Sequence, residues 1–423
     1  MRYVYTFFAF PAALFFELRF FLAAWREGQN YDAWKQRLGF APKFSDSPIW
    51  MHAVSVGEVQ AISPLIKRLL SKYPHMPLLV TTTTSTGAEH IRQMLGDNVV
   101  HAYLPYDLPF AVKQFFARVK PRVGLVMETE IWPNLYHYAS RKGIKLALIN
   151  ARLSERSTRR YQYVRSLMEQ TLNYLSAIAA QAPADAERFI SLGAKRSNVL
   201  MTGNVKFDIE VIPSQLEEAE SLRRLLGSNR SIWIAASTHE GEDEAILRAF
   251  SVVVKELPEA LLVLVPRHPE RFDSVENLCK KQGFTVVRRS SQQSFDKKID
   301  VFLGDTMGEL TMFYAAADVA FVGGSLVEVG GHNLLEPAAV GLPVIVGPYT
   351  HNFEYICELL IKRGAARRIT SAEALARVVI DLLRSPNLRD EAGEQGQKVI
   401  QENRGAVKTV MQLVANQIDS KNS

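Results

Sequence analysis

The sequence predicts an α/β protein of two similar domains, each a parallel sheet with helices on both faces, and three observations predict it. Short apolar runs alternate with helical stretches along most of the chain. Two of those runs come back at one offset of 183 residues, Trp50 matching Trp233 and Leu78 matching Leu261. A glycine-rich turn joins strand to helix within Ala317 to Pro348. At 423 residues the chain exceeds what one hydrophobic core supports, so two domains of about 200 residues are expected. Composition is globular, 47% hydrophobic and 22% charged, with a formal net charge of +6. Without an RNA-binding, zinc-finger or basic-helix signature, that charge points to acidic small molecules or anionic lipid and away from nucleic acid. Cys279 and Cys357 stand far apart with no CxxC or His/Cys cluster, which fits a reducing compartment and no structural zinc.

The chain opens on an apolar run, Tyr3 to Phe16, which resumes after Glu17 and Arg19 as Phe20 to Trp25. Spanning a bilayer takes about 20 apolar residues, so this segment either crosses or lies in the interface. Arg2, Arg19, Arg26, Lys35, Arg37 and Lys43 bracket it and favour the cytoplasmic face. The expectation is an uncleaved anchor over residues 1–25; the alternative is a signal peptide cut near Leu22-Ala23-Ala24.

Pro48 to Val54 is the first core strand, and Ser55-Val56-Gly57-Glu58 turns into a helix from about Val59 to Ser71. Pro77 to Thr84, Arg122 to Met127 and Lys145 to Asn150 follow as strands, each separated by a helical stretch. These make a first Rossmann-like domain over 26–210, with the boundary in the IEVIPSQ segment, Ile209 to Gln215. Ser231 to Ala235, Leu261 to Val265 and Asp300 to Gly304 are strands of a second domain over 211–423. Its final stretch, Ala365 to Asn416, reads as helical and can cross back to the first domain.

Within the second domain, Asp318 to Val322 is a strand, Gly323-Gly324 and Gly330-Gly331 are turns, Asn333 to Val340 is a helix and Leu342 to Val346 the next strand. Glycines ahead of a helix let a ligand approach the backbone, and the first free N–H groups of the helix suit a phosphate. Glu336 in the first turn can accept hydrogen bonds from a ribose diol. A capped βα unit with a dipole-complementing glutamate explains the same spacing without a ligand. The string from Gly-Gly-Ser through His-Asn-Leu-Leu-Glu-Pro-Ala to Gly-Leu-Pro-Val resembles the nucleotide-binding half of the GT-B glycosyltransferases, whose fold is two Rossmann-like domains facing a cleft.

Three further motifs narrow the resemblance: His52-Ala53-Val54-Ser55-Val56-Gly57-Glu58-Val59, Glu128-Thr129-Glu130-Ile131-Trp132-Pro133-Asn134 and Gly203-Asn204-Val205-Lys206-Phe207-Asp208. In that order the chain is similar to the Kdo transferases, which attach 3-deoxy-D-manno-octulosonic acid (Kdo) to lipid A. The resemblance implies a GT-B enzyme with an N-terminal membrane-associated segment, an acceptor-binding first domain and a CMP-sugar-binding second domain. It implies inverting transfer from CMP-Kdo to lipid IVA at the cytoplasmic face of the inner membrane, with no cofactor. Glu58 becomes the general base, against a plain helix-start glutamate; Glu128 assists the transition state, against a buried salt bridge; and Lys206 offsets charge on the leaving phosphate, against a solvated lysine. Glu128 and Glu130 are expected on one side, raising one another's pKa. The resemblance places CMP on Pro266 and Arg267, on Met307, Gly308 and Glu309, and on Asn333, Leu334, Leu335 and Glu336. Met307 is expected to begin a helix, and Ser237, Thr238 and His239 are further possible contacts. None of the nine histidines falls in a metal-ligand motif, so the transfer is expected to run without metal. The rival readings are a GT-B enzyme using a UDP-sugar and a non-catalytic nucleotide-binding membrane adaptor.

Overall fold

The computed structural model describes residues 1–11, 31–291 and 299–419. By its contacts the chain divides into two compact units, Met1–Asp208 together with Asn403–Ser423, and Ile209–Glu402.

The first unit is built on seven strands: β1 Ile49–His52, β2 Leu78–Thr82, β3 Val100–Tyr103, β4 Val123–Met127, β5 Lys145–Ala151, β6 Ala177–Ala180 and β7 Val199–Met201. All pair in parallel, in the order β3-β2-β1-β4-β5-β6-β7. The central strands are buried on both faces, which is why their sequences read as continuous apolar runs. The second unit holds β8 Ile232–Thr238, β9 Leu261–Pro266, β10 Val286–Arg288, β11 Val301–Leu303, β12 Val319–Val322, β13 Val344–Val346 and β14 Ala366–Arg368. Its sheet is also parallel, in the order β10-β11-β9-β8-β12-β13-β14. The repeat seen in the sequence is a repeat of pairing: Ile49 lies opposite Leu78, and Ile232 opposite Leu261. Trp50 and Trp233 are both fully buried at the equivalent place.

Several boundaries differ from the sequence reading. Strands β3, β6, β7 and β10 were not expected; β3 and β7 are partly exposed, so their apolar signal is diluted. Ala366–Arg368 is a strand, not the start of a helical stretch, and the helices begin at Ala372. The helix expected from Asn333 to Val340 shortens to Leu335–Ala339, and the one expected at Met307 starts at Leu310, after Gly308 at a φ of 85°. Residues 2–11 are helical, with Tyr3, Phe7, Phe8 and Phe10 exposed. Arg2 Nη1 donates to Asn134 Oδ1 at 2.9 Å, and the Tyr5 hydroxyl bonds to the buried Asp107 carboxylate. No helix among the described residues is long and apolar enough to cross a membrane, and most of the expected anchor, residues 12–25, lies outside them.

The last helix, Ala406–Asp419, buries Val407, Val410, Leu413, Val414 and Ile418 against Ile62, Leu65 and Ile66 of the first unit. It is held at both ends. Asp208 accepts the N–H groups of Gly405 and Val407 at 2.8 and 2.7 Å, satisfying donors a helix start leaves open. At the other end Arg122 Nη2 donates to Ile418 O at 2.8 Å. Asp208→Ala is expected to destabilise this helix by about 0.5–2 kcal/mol, and Asp208→Asn by less. Hydrogen exchange across 406–419 reads it: faster exchange in the alanine variant than in the asparagine variant is the expected order.

Candidate active site

In a doubly wound sheet ligands gather at the carboxyl ends of the strands, where the strand order reverses. In the first unit that point lies between β1 and β4, and it brings the loops carrying Glu58 and Glu128 side by side. Glu58 sits in the first turn of the helix Val56–Lys72, whose N-cap Ser55 makes no side-chain capping bond. The Glu58 carboxylate reaches back instead and accepts the Val54 N–H at 2.7 Å. That bond fixes where the carboxyl points.

Strand β4 ends at Met127, and Glu128 turns out of it at a φ of 51°, a conformation that costs a non-glycine residue about 1–3 kcal/mol. Its Oε1 lies 3.4 Å from Lys206 Nζ, and both side chains are largely buried. Lys206 is carried by a short turn, Val205–Phe207, braced from two sides: Asn204 Oδ1 accepts the Lys206 N–H, and Asn150 Oδ1 accepts the Val205 N–H at 3.1 Å. Asn150 is also left-handed, at 50°. Glu130 takes other partners than Glu128. Its carboxylate accepts the Trp132 indole N–H at 2.9 Å and lies 3.6 Å from the buried His52 Nε2.

The Glu58 carboxyl is pushed up to about 7. Burial is the main cause, opposed by the Val54 N–H, then reinforced by the charges of Glu128 and Glu130 and opposed by Lys206. The cluster thus places a proton acceptor poised near neutrality among two carboxylates and an ammonium.

In the second unit the order reverses between β8 and β12, next to β9 and β11. Pro266 ends β9, and the Arg267 N–H donates to Thr238 O at 3.0 Å. Among the described residues the Arg267 guanidinium makes no ion pair within 4 Å, but its charge reaches Glu336. Glu336 Oε1 accepts from Asn333 Nδ2 at 3.0 Å, while Asn333 Oδ1 caps the Leu335 N–H at 3.1 Å. Burial pushes the Glu336 carboxyl up, against Asn333 and Arg267. Leu334 and Leu335 are core side chains, so only their backbone is open to a ligand. Met307 is exposed, and the space a Cβ would take at Gly308 is open. Glu309 is tied to Arg289 at 2.9 Å and to the Thr306 hydroxyl; against the upward pull of burial these bonds hold its carboxyl below the usual range. Of the further possible contacts, the Thr238 hydroxyl is committed to Asp243 at 2.6 Å.

The glycine turn itself departs from expectation. The N–H groups of Gly324, Ser325 and Leu326 all donate to the fully buried Glu242, at 2.6, 3.0 and 2.8 Å, together with that of His239. Those amides are closed to a phosphate by the protein's own carboxylate. Sequence reasoning missed Glu242 because, at the start of the helix Glu242–Glu256, it looks like one of three ordinary dipole-complementing acids. It also missed the contact of His239 with His332, Nε2 to Nε2 at 2.8 Å, between residues 93 positions apart.

The charge pattern around Glu58 can be tested directly. A carboxyl titration followed by ¹³C NMR should place its midpoint near 7. Glu128→Gln should lower that midpoint by removing a like charge, and Lys206→Met should raise it by removing the opposing one.

Comparison with known proteins agrees with the division of the chain. A family model described as 3-deoxy-D-manno-octulosonic-acid transferase (kdotransferase) matches residues 32–209, and one described as glycosyl transferases group 1 matches residues 236–399. A 3-deoxy-D-manno-octulosonic acid transferase of Haemophilus influenzae is 44% identical over 383 residues, 90% of each chain. One of Bordetella pertussis is 39% identical over 363 residues, 84% of this chain and 83% of that one. Among solved structures, a UDP-GlcNAc 2-epimerase from Neisseria meningitidis bound to UDP-GlcNAc matches with a TM-score of 0.57 over 87% of this chain and all of that one. Its 15% identity makes the likeness one of fold alone, that of the GT-B type.

Proposed function

Because this chain belongs to the 3-deoxy-D-manno-octulosonic acid transferase family, we propose that it transfers Kdo from CMP-Kdo to the lipid A precursor lipid IVA, at the cytoplasmic face of the inner membrane. The family makes it a glycosyltransferase, which removes the non-catalytic adaptor as a rival, and the transfer of Kdo by its relatives supports CMP-Kdo over a UDP-sugar as donor. The observation that carries the mechanistic reading is the Glu58 carboxyl, held by the Val54 N–H and pushed up to about 7 beside Glu128, Glu130 and Lys206.

In the proposed reaction an acceptor hydroxyl attacks the anomeric carbon of Kdo. The new C–O bond forms as the bond to the CMP phosphate breaks, the configuration inverts, and Glu58 takes the hydroxyl proton. A base with a pKa near the working pH is both available and strong enough to help. Glu128 keeps the Lys206 ammonium in place, and that ammonium offsets negative charge as the phosphate departs. In the second unit the cytidine nucleotide is assigned to Pro266 and Arg267, to the open backbone at Met307–Gly308 with Glu309, and to Asn333 through Glu336. Arg267, which makes no ion pair within 4 Å among the described residues, offers its guanidinium to the phosphate, and Glu336 accepts from the ribose. The exposed Tyr3, Phe7, Phe8 and Phe10 on helical residues 2–11 support a body that rests on the bilayer interface, close to its lipid acceptor.

Glu58→Gln keeps the shape but cannot take a proton at neutral pH; kcat should fall by about 10²–10⁴ with CMP affinity little changed. A kcat within about threefold of wild type would end the general-base assignment. In the wild type, kcat/KM should drop as pH falls below about 7, where Glu58 becomes protonated, and this limb should be absent from the residual activity of the variant. Glu336→Ala should raise the donor KM by roughly 10- to 150-fold, the equivalent of about 1.5–3 kcal/mol for hydrogen bonds to a charged group. An unchanged donor KM would remove Glu336 from the site.

A further inference from the structure

His239 follows β8 and His332 precedes the helix Leu335–Ala339. Their Nε2 atoms are 2.8 Å apart, their ring centroids 5.0 Å apart and their planes 7° from parallel. At that centroid spacing the rings lie edge to edge, nearly in one plane, and do not stack face to face. The contact is a hydrogen bond along the lone-pair direction, so one ring carries Nε2–H and the other presents a bare Nε2. In the neutral pair the donating ring therefore has a bare Nδ1, and that atom is where an added proton goes. The shared Nε2–H···Nε2 bond survives the addition.

Basic side chains surround the pair. His268 meets His239 edge-on at 5.3 Å, and Arg267 bears on both rings. Arg271 is committed to Asp243 and to Thr238 O. The nearby acids are also engaged: Glu242 by four backbone N–H groups, Asp243 by Arg271 and Thr238, Glu336 by Asn333. His351 packs against Gly330, two residues ahead of His332. Burial first, then these basic neighbours, hold His239 down to about 4 and His332 to about 3. With the amides of Gly324, Ser325 and Leu326 closed by Glu242, the side chains that can bring positive charge to an anion here are Arg267 and the histidines once protonated.

We propose that the His239–His332 pair is a proton-uptake site coupled to nucleotide binding: a phosphate arriving beside Arg267 draws one proton from solvent onto the pair, which then holds a positive charge facing that phosphate. This rests on the assignment of the cytidine nucleotide to the second unit and adds two residues to it. A phosphate reverses the local field, so the charged form of the pair, disfavoured among cations alone, becomes the stable one. The same charge offsets the negative charge that grows on the phosphate as the glycosyl bond breaks. By linkage, nucleotide affinity should weaken, by up to about tenfold per pH unit, as pH rises through the pKa of the pair in the complex.

The probe is the methyl ester of CMP, a phosphodiester whose own charge is constant across the neutral range. Calorimetric titration of the full chain in two buffers of different ionisation enthalpy counts the protons taken up. Uptake approaching one proton in the wild type, and lost in both His239→Gln and His332→Gln, is the expected result. Wild-type binding with no proton uptake, or uptake unchanged in both variants, would overturn it. Should the variants not fold, ¹⁵N NMR of the wild-type histidines decides: an Nδ1 of this pair must become protonated when the probe is added, and its staying bare rejects the proposal. Failure of CMP and the ester to bind at all would reject the donor-site assignment and this coupling with it, whereas binding without uptake rejects the coupling alone.

Discussion

A parallel strand can be followed by another only through a crossover, so in each sheet the carboxyl ends of all seven strands share one edge. Where the winding reverses, two crossovers leave in opposite directions and their loops separate, opening the crevice in which such folds bind ligands. Both reversals fall at the chemically loaded loops. Between β1 and β4 it places Glu58 beside Glu128 and Glu130; between β8 and β12 it places His239 and Glu242 beside the glycine turn and His332. The apolar interior of each sheet is what makes that geometry rigid, with Trp50 and Trp233 buried at matching positions.

Backbone conformation adds to the effect at the same edge. Glu128, Asn150 and Ser237 are all left-handed without being glycine, and all lie at or beside strand ends. At Asn150 and Ser237 the ladder register shifts within the strand, and at Glu128 the turn hands the carboxylate to Lys206. Strain of this kind persists only where surrounding contacts hold it, here the Ile149 carbonyl on the Glu128 N–H and the Asn150 side chain on the Val205 N–H.

Carboxylates kept from water serve two different ends in the two units. Glu242 receives four N–H bonds and fixes the shape of the glycine turn, a structural use of an anion in a place where a ligand anion was expected. Glu58 receives one such bond and is raised to about 7. The fold therefore favours its protonated form. That contributes stability below its ordinary value of 4.5, and the contribution is lost as pH rises through about 7. A group that is costly to ionise in the folded state is also one well matched to accepting a proton near neutrality.

The amino-acid sequence by itself determined the α/β class, the internal repeat, the central strands and the motifs around Glu58, Glu128, Lys206, Arg267 and Glu336, because these are carried by local apolar runs and by short strings with their own composition. It did not reveal β3, β6, β7 and β10. β3, β7 and β10 lie at a sheet's edge, bury little and write a weak pattern, while β6, though buried, is only four residues long and three of them are alanine. Nor did it reveal that Glu128 and Glu130 take different partners, that the glycine-turn amides belong to Glu242, or that His239 meets His332. Those facts depend on a left-handed turn beyond a strand end and on contacts across 82 to 93 positions of chain. Only the packed sheet decides them, because it alone brings distant loops to one edge and sets how much water each charge keeps.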